Sequence, residues 1–324
     1  GTTAWDRLGS HLHDTQVMDS ITRTLYWDQN TRMPSGGAAW RGEQLALLAR
    51  QLHARQSSEH YAELIAEARD EWRTRSNSGD PPELVTGQAR NLDLLEKDLR
   101  RQQALDPDLV SALATAKSQG YNLWQQARRT SDFALFAPAL RRMVELRQEQ
   151  ARQLAEPRSC WETLAQPFEP DLTLQRLQNL FAPLRRRLPE LLEQLKGSPR
   201  PSSLSWDLPA STQQQLCDQL LSDWGRDKGI TCVAASPHPF SITLGPRDFR
   251  ITTRVVAGQP LSCFLATAHE WGHSLYEQGL PTSAHQWFSW PLGQATSMAV
   301  HESQSLFWEN RVARSQPFAE LWWE

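Results

Sequence analysis

The chain has 324 residues, 39% of them hydrophobic and 22% charged, with a net charge of −3. That length suits one large globular domain or two ordinary ones, and the composition gives a sizeable core and no basic surface for nucleic acid. No run of about 18 apolar residues provides a membrane span, the opening GTTAWDRLGSHLHD reads as no secretory leader, and four scattered cysteines without a C-x-x-C pair read as reduced thiols of a cytoplasmic protein.

Taken in order, Leu8, Leu12, Ile21 and Leu25 predict a helix over 5–26, with 26–34 as its exit and turn. Further helices are predicted at 38–56 and 58–74, followed by a polar loop at 76–80. Asp80 is the expected cap of the next helix, with Pro81 in its first turn. Asp106-Pro107 repeats that signal for a helix to 129, and Asp132 is expected to cap another to 155. Thr173 should cap a helix that Pro189 kinks or restarts before Gly197. A helical subdomain over 1–198, a proline- and serine-rich linker at 199–210 and a catalytic subdomain over 211–324 make up the one domain. After a helix at 211–228 the pattern changes to β-branched and aromatic runs at 230–234, 240–244 and 250–256, read as a small antiparallel sheet. Its last run serves as an edge strand able to pair with a substrate backbone.

Residues 261–278 then form a helix that stops at Gly279 and Pro281. It contains His269-Glu270-Trp271-Gly272-His273. Residues four apart share a helix face, so His269 and His273 can turn imidazoles to one metal ion, with Glu270 beside them as base. Gly272 costs a helix interior about 1 kcal/mol relative to alanine, which points to a neighbouring backbone in close approach.

A catalytic zinc takes three protein ligands. Glu302 lies 29 residues after His273 on the next predicted helix, 294–315. Glu309 and His301 on that helix are alternatives. Glu277 is a poorer one, about 6 Å along the axis from the histidines.

These residues resemble the carboxypeptidase Taq family of metallocarboxypeptidases. Tyr26-Trp27-Asp28-Gln29 with Arg41-Gly42-Glu43-Gln44 is similar to its N-terminal signature, His238-Pro239-Phe240 to its HPF motif, Asp248-Phe249-Arg250-Ile251-Thr252 to D-x-R-x-T, and His301-Glu302-Ser303-Gln304 to H-E-S-x-Q. The resemblance implies a mainly α fold with a deep central cleft walled by the small sheet. It implies one zinc per chain, which cobalt can replace, held by His269, His273 and Glu302, with Glu270 as general base. His238, Asp248, Arg250 and Thr252 fall in the substrate-binding wall. A peptide substrate, release of C-terminal residues with broad specificity, and a homodimer follow from the same resemblance. The later motifs I-R-x-x-A-D and G-x-x-Q-D-x-H-W do not occur, so the expectation is a family member lacking its C-terminal third. A zinc endopeptidase or oligopeptidase of the same class, and a non-catalytic metal-binding fragment, are the alternatives.

Overall fold

The N-terminal elements follow from caps and apolar spacing. In a computed structural model, which describes residues 2–75, 81–200 and 207–323, helix α1 spans Ala4–Thr31. Thr3 and Asp6 close its first turn reciprocally. It runs one turn beyond the expected exit, and Asn30 and Thr31 bond back to the carbonyls of Tyr26 and Trp27. Pro34 disfavours helix for the residue before it, which sets the stop. Helices α2 (Ala38–Ser57), α3 (Glu59–Arg75), α4 (Pro82–Gln103), α5 (Pro107–Thr130) and α6 (Ala137–Leu154) follow. Asp80 lies outside the described residues, and Pro82 rather than Pro81 takes the first helical position of α4. Asp106 caps α5 as expected, whereas Asp132 caps a short 3₁₀ turn, Phe133–Leu135, ahead of α6.

Leu8, Leu12, Leu64, Ile65, Leu92 and Leu95 close one core among α1, α3 and α4. The N-terminal signature is part of this scaffold. Arg41 reaches from α2 to the Leu25 carbonyl and the Asp28 carboxylate of α1, at 2.5 and 2.6 Å. Gln29 reaches Ser118 of α5 at 3.1 Å. Burying the Arg41 guanidinium without these partners would cost several kcal/mol, on the order usual for a broken buried ion pair.

A short α7 (Cys160–Ala165) leads to α8 (Leu174–Leu195), which Thr173 caps as expected. Pro183 and Pro189 both sit inside one continuous helix rather than breaking it. Each removes one backbone donor, and because α8 is exposed along its length, water can satisfy the carbonyls that are freed. The 199–210 stretch is described only at its ends. Helix α9 (Ala210–Asp223) then stops at Gly225, whose φ of +79° suits glycine.

Strands β1 (Thr231–Ala235), β2 (Ser241–Gly245) and β3 (Asp248–Thr253) form a sheet of order β1-β3-β2. The expectation of an antiparallel sheet fails for one pair. β2 and β3 are antiparallel, joined by the tight Pro246-Arg247 turn, but β1 and β3 run parallel. The five residues 236–240 carry the chain past the place of one strand, and β3 returns into that gap. β3 is therefore the central strand, and its ladder positions are taken on both sides. The edges belong to β1 and β2.

Helix α10 (Pro260–Gln278) packs on β3 through Trp271, which shares a core with Leu221 and Ile251. A second core joins Phe264 and Ala268 of α10 to Leu220, Ala313 and Phe318. Trp290 swings back to the N-terminal helices and stacks on Trp5 at 3.8 Å. Helix α11 (Met298–Leu306) starts later than expected, at a Ser297 cap. It widens into a π-helical turn, Phe307–Val312, before α12 (Gln316–Trp323). No described helix is long and apolar enough to cross a membrane.

Candidate metal centre

Helix α10 is held on several faces. The Thr267 hydroxyl donates to the Cys263 carbonyl at 2.9 Å and lies 3.1 Å from the Thr253 hydroxyl of β3, from which it can accept. On another face Gly272 meets α11: a Cβ there would lie 2.7 Å from both the Gln304 carbonyl oxygen and the Ser305 Cα. Real Cβ atoms essentially never come that close, so glycine is the residue that lets the two backbones touch. The start of α11 is tied down separately. Ser297 donates to Glu169, and the Met298 N–H donates to the Phe168 carbonyl at 2.8 Å. Two fixed helices thus present His269, His273 and Glu302 to one another.

One ligand atom from each of the three falls within 4.8 Å of the others. Both imidazoles turn Nε2 to the same carboxylate: His273 Nε2 is 3.1 Å from one Glu302 oxygen and His269 Nε2 is 3.7 Å from the other. The two rings stand 5.0 Å apart at 81°. Burial, then the neighbouring His301 and His269, hold the His273 imidazole down to about 4. It is neutral at pH 7 and offers a lone pair. Glu270 is buried, and that burial, reinforced by the negative Glu302 and Glu309, pushes its carboxyl up to about 8. A cation among these carboxylates would oppose that rise. Two imidazoles and a carboxylate fit a divalent transition ion such as zinc, with a coordination position left for water or substrate.

The three alternative ligands stand on the outer side of the histidines. His269 Nδ1 lies 3.0 Å from Glu309, whose other oxygen accepts from Arg314. His273 Nδ1 lies 2.5 Å from His301 Nδ1, and His301 Nε2 lies 2.8 Å from Glu277. The sequence reading considered these three only as ligands. The missed signal was spacing: Glu277 is one turn beyond His273 and Glu309 two turns beyond Glu302, each on the same face.

The expected substrate-wall residues separate. His238 is exposed and lines a pocket of about 420 Å³ with His269, Glu270 and Glu309. Asp248 and Arg250 form a two-pronged pair with both bonds at 2.7 Å, and the Arg250 guanidinium stands over the Trp27 ring. Thr252 does not face a cleft. It is fully buried, 2.6 Å from the Ser236 hydroxyl, and accepts from the Phe240 N–H at 2.9 Å, so it fastens the 236–240 crossover. Ile251 and Thr253, its neighbours on the opposite face of β3, are buried as well, so this end of the strand is covered on both faces. On the far side of His301 a cleft of about 550 Å³ is lined by Tyr26, Lys117, Ser241, Thr243 and Glu277.

The chain is similar to known proteins over nearly its whole length. It is 34% identical to thermostable carboxypeptidase 1 of Thermus thermophilus, over 98% of this chain and 62% of that protein. Among solved structures, BsuCP matches with a TM-score of 0.88 and 26% identity, over 98% of this chain and 62% of that one. The M32 carboxypeptidase of Deinococcus radiodurans R1 matches with a TM-score of 0.79 and 31% identity, over 96% and 61%. The chain thus spans somewhat under two thirds of the length of these relatives. The profile of the carboxypeptidase Taq (M32) metallopeptidases matches residues 7–324, and with it the two-helix arrangement of His269, His273 and Glu302 finds its place: this chain belongs to the carboxypeptidase Taq (M32) family of metallopeptidases.

Proposed function

We propose that the chain acts in zinc-dependent hydrolysis of peptides, releasing C-terminal residues with broad side-chain tolerance. The observation that carries this reading is the convergence of His269, His273 and Glu302 with the buried Glu270 beside them. In it, His269 and His273 bind through Nε2, Glu302 binds through its carboxylate, and one zinc is held per chain. Cobalt can take its place. The bound ion supplies Lewis acidity, lowering the pKa of a water to about 7 and polarising the scissile carbonyl.

Glu270 is the general base. Its carboxylate takes a proton from the attacking water and returns it to the leaving amine. His238 sits where a substrate group entering the pocket beside His269 and Glu270 would meet it. Asp248 and Arg250 act as a pair behind Trp27, on the wall of the sheet. With β3 central, a substrate backbone pairs with edge strand β2 instead, whose Ser241 and Thr243 line the larger cleft. A homodimer and a cytoplasmic location belong to the same reading, the latter supported by four cysteines that are all free thiols, Cys217 and Cys263 included although their sulfurs lie 3.5 Å apart.

Elemental analysis of protein purified without chelator tests the metal, with about one equivalent of zinc expected per chain. Peptides with a free or an amidated C-terminus test the reaction. Release confined to free C-termini supports the reading, and equal cleavage of both would replace it with an endopeptidase.

A further inference from the structure

His301 and Glu277 are in the wrong place to be ligands and in the right place to control one. A neutral imidazole has one N–H and one bare nitrogen, and the hydrogen bond at one nitrogen fixes what the other can do. For His273 to offer a bare Nε2 to a metal ion shared with Glu302, its proton must sit on Nδ1. That nitrogen faces His301 Nδ1 at 2.5 Å, so His301 must leave its Nδ1 bare and carry its own proton on Nε2. His301 Nε2 in turn faces a Glu277 oxygen at 2.8 Å, and Thr243 of β2 donates to the other oxygen at 3.2 Å. Of the possible proton arrangements for two neutral imidazoles, this is the one that satisfies both contacts and leaves His273 Nε2 free.

The neighbours hold that arrangement in place. Tyr276 meets the His301 ring edge-on at 4.9 Å, and the His301 and Glu277 side chains are each about one-fifth exposed, 22%. His269 has a shorter version of the same support, with its Nδ1 directly on Glu309 at 3.0 Å.

We propose that Glu277 and His301 form a carboxylate–imidazole relay that sets the tautomer and ring plane of His273, making both residues positioning groups for the metal rather than ligands of it. The inference rests on the reading that His269, His273 and Glu302 hold a metal. It gives the histidine of H-E-S-x-Q a defined task. It also makes the two metal histidines unequal: one is anchored by a carboxylate directly, the other through a second imidazole that borders the larger cleft.

The experiment measures Co²⁺ binding by chelator competition and records the visible absorption of the Co²⁺ protein. The variants are Glu277→Gln, His301→Phe and His301→Gln, each checked for folding by circular dichroism. Glu277→Gln and His301→Phe should each weaken Co²⁺ binding by about 10–100-fold, as loss of an outer hydrogen-bond partner generally does, and each should shift the Co²⁺ spectrum. His301→Gln, which can still accept from His273 and donate to Glu277, should recover part of the affinity. Wild-type affinity and an unchanged spectrum in both Glu277→Gln and His301→Phe would overturn the relay and leave the metal reading intact. Should His301→Phe not fold, histidine ¹⁵N shifts of the unmutated, zinc-loaded protein decide instead: protons on Nδ1 of His273 and Nε2 of His301 support the relay, and either opposite tautomer overturns it. An unmutated chain that takes up neither zinc nor cobalt would remove the metal reading, and the relay with it.

Discussion

Helices α10 and α8 are close in length, 19 and 22 residues, and opposite in circumstance. Nine residues of α10 are buried, Glu270 and Trp271 among them, and none of α8 is. Yet α8 has the plainer amphipathic pattern, with Leu180, Leu184, Leu188, Leu191, Leu192 and Leu195 recurring at helical spacing and all at least 47% exposed. Local signals, a Thr173 cap and good helix formers, are enough to shape α8. Presenting the proposed metal ligands takes more. α10 needs a strand, a neighbouring helix and a glycine contact to keep two imidazoles aimed at one point. A helix that only its own residues define cannot fix a side chain to the tolerance a metal requires.

The widest break in that comparison should come from two leucine truncations followed by denaturant unfolding. Leu220→Ala, beneath α10 and fully buried, should cost about 2–5 kcal/mol. Leu192→Ala, 61% exposed on α8, should stay within about 0.5 kcal/mol. Equal costs would mean that α8 is packed in solution.

At the ligand level, Glu302→Ala should weaken zinc binding by more than the about 10–100-fold expected of an outer partner such as Glu277. A smaller loss than Glu277→Ala would reverse their roles. Glu270→Gln keeps the shape of α10 and removes the base, so bound metal should persist while peptide hydrolysis falls about 10²-fold or more. Unchanged turnover there would take Glu270 out of the proposed chemistry.

Gly272→Ala sharpens the comparison from the backbone side. Its methyl would strike α11, so stability should fall by about 1–3 kcal/mol, with a loss of metal affinity as Glu302 is pushed away. An alanine variant with full stability and affinity would mean the two helices separate easily.

A last effect lies outside both helices. His11 is buried, stacked on Tyr61, and its Nε2 has no hydrogen-bond partner among the described residues. Burial, then the positive Arg55, push it down from 6.5 to about 4. The unfolded chain therefore binds the proton first, and stability should drop as pH falls from about 6.5 to about 4, by at most about 1.4 kcal/mol per pH unit. His11→Phe should flatten the loss over that window, and an unchanged pH profile would assign it to other groups.

Much of the fold was open to reading from the chain. The caps at Asp106 and Thr173, the stop at Gly279 and the H-E-x-x-H spacing are local, so a few neighbouring residues decide them. Gly272 was legible as a close approach because a glycine inside a helix has to be compensated. Strand pairing was not legible. The composition of β1 and β3 carries no record of which strand fills the space between β1 and β2, and that depends on how the 236–240 crossover lies over the core. Nor did spacing separate Thr252 from Arg250, which are two residues apart. Thr252 is drawn into the crossover by Ser236 and Phe240, while Arg250 is held outward by Asp248 and Trp27.

The sequence by itself determined the helical character, the two histidines of H-E-x-x-H on one helix face and the acid beside them, because helix geometry brings residues four apart together without help from the rest of the chain. Tertiary structure alone decided which of Glu277, Glu302 and Glu309 faces both Nε2 atoms and which face the Nδ1 atoms. Those roles are set by where α11 crosses α10 at Gly272, a contact between residues some thirty positions apart that no local pattern encodes.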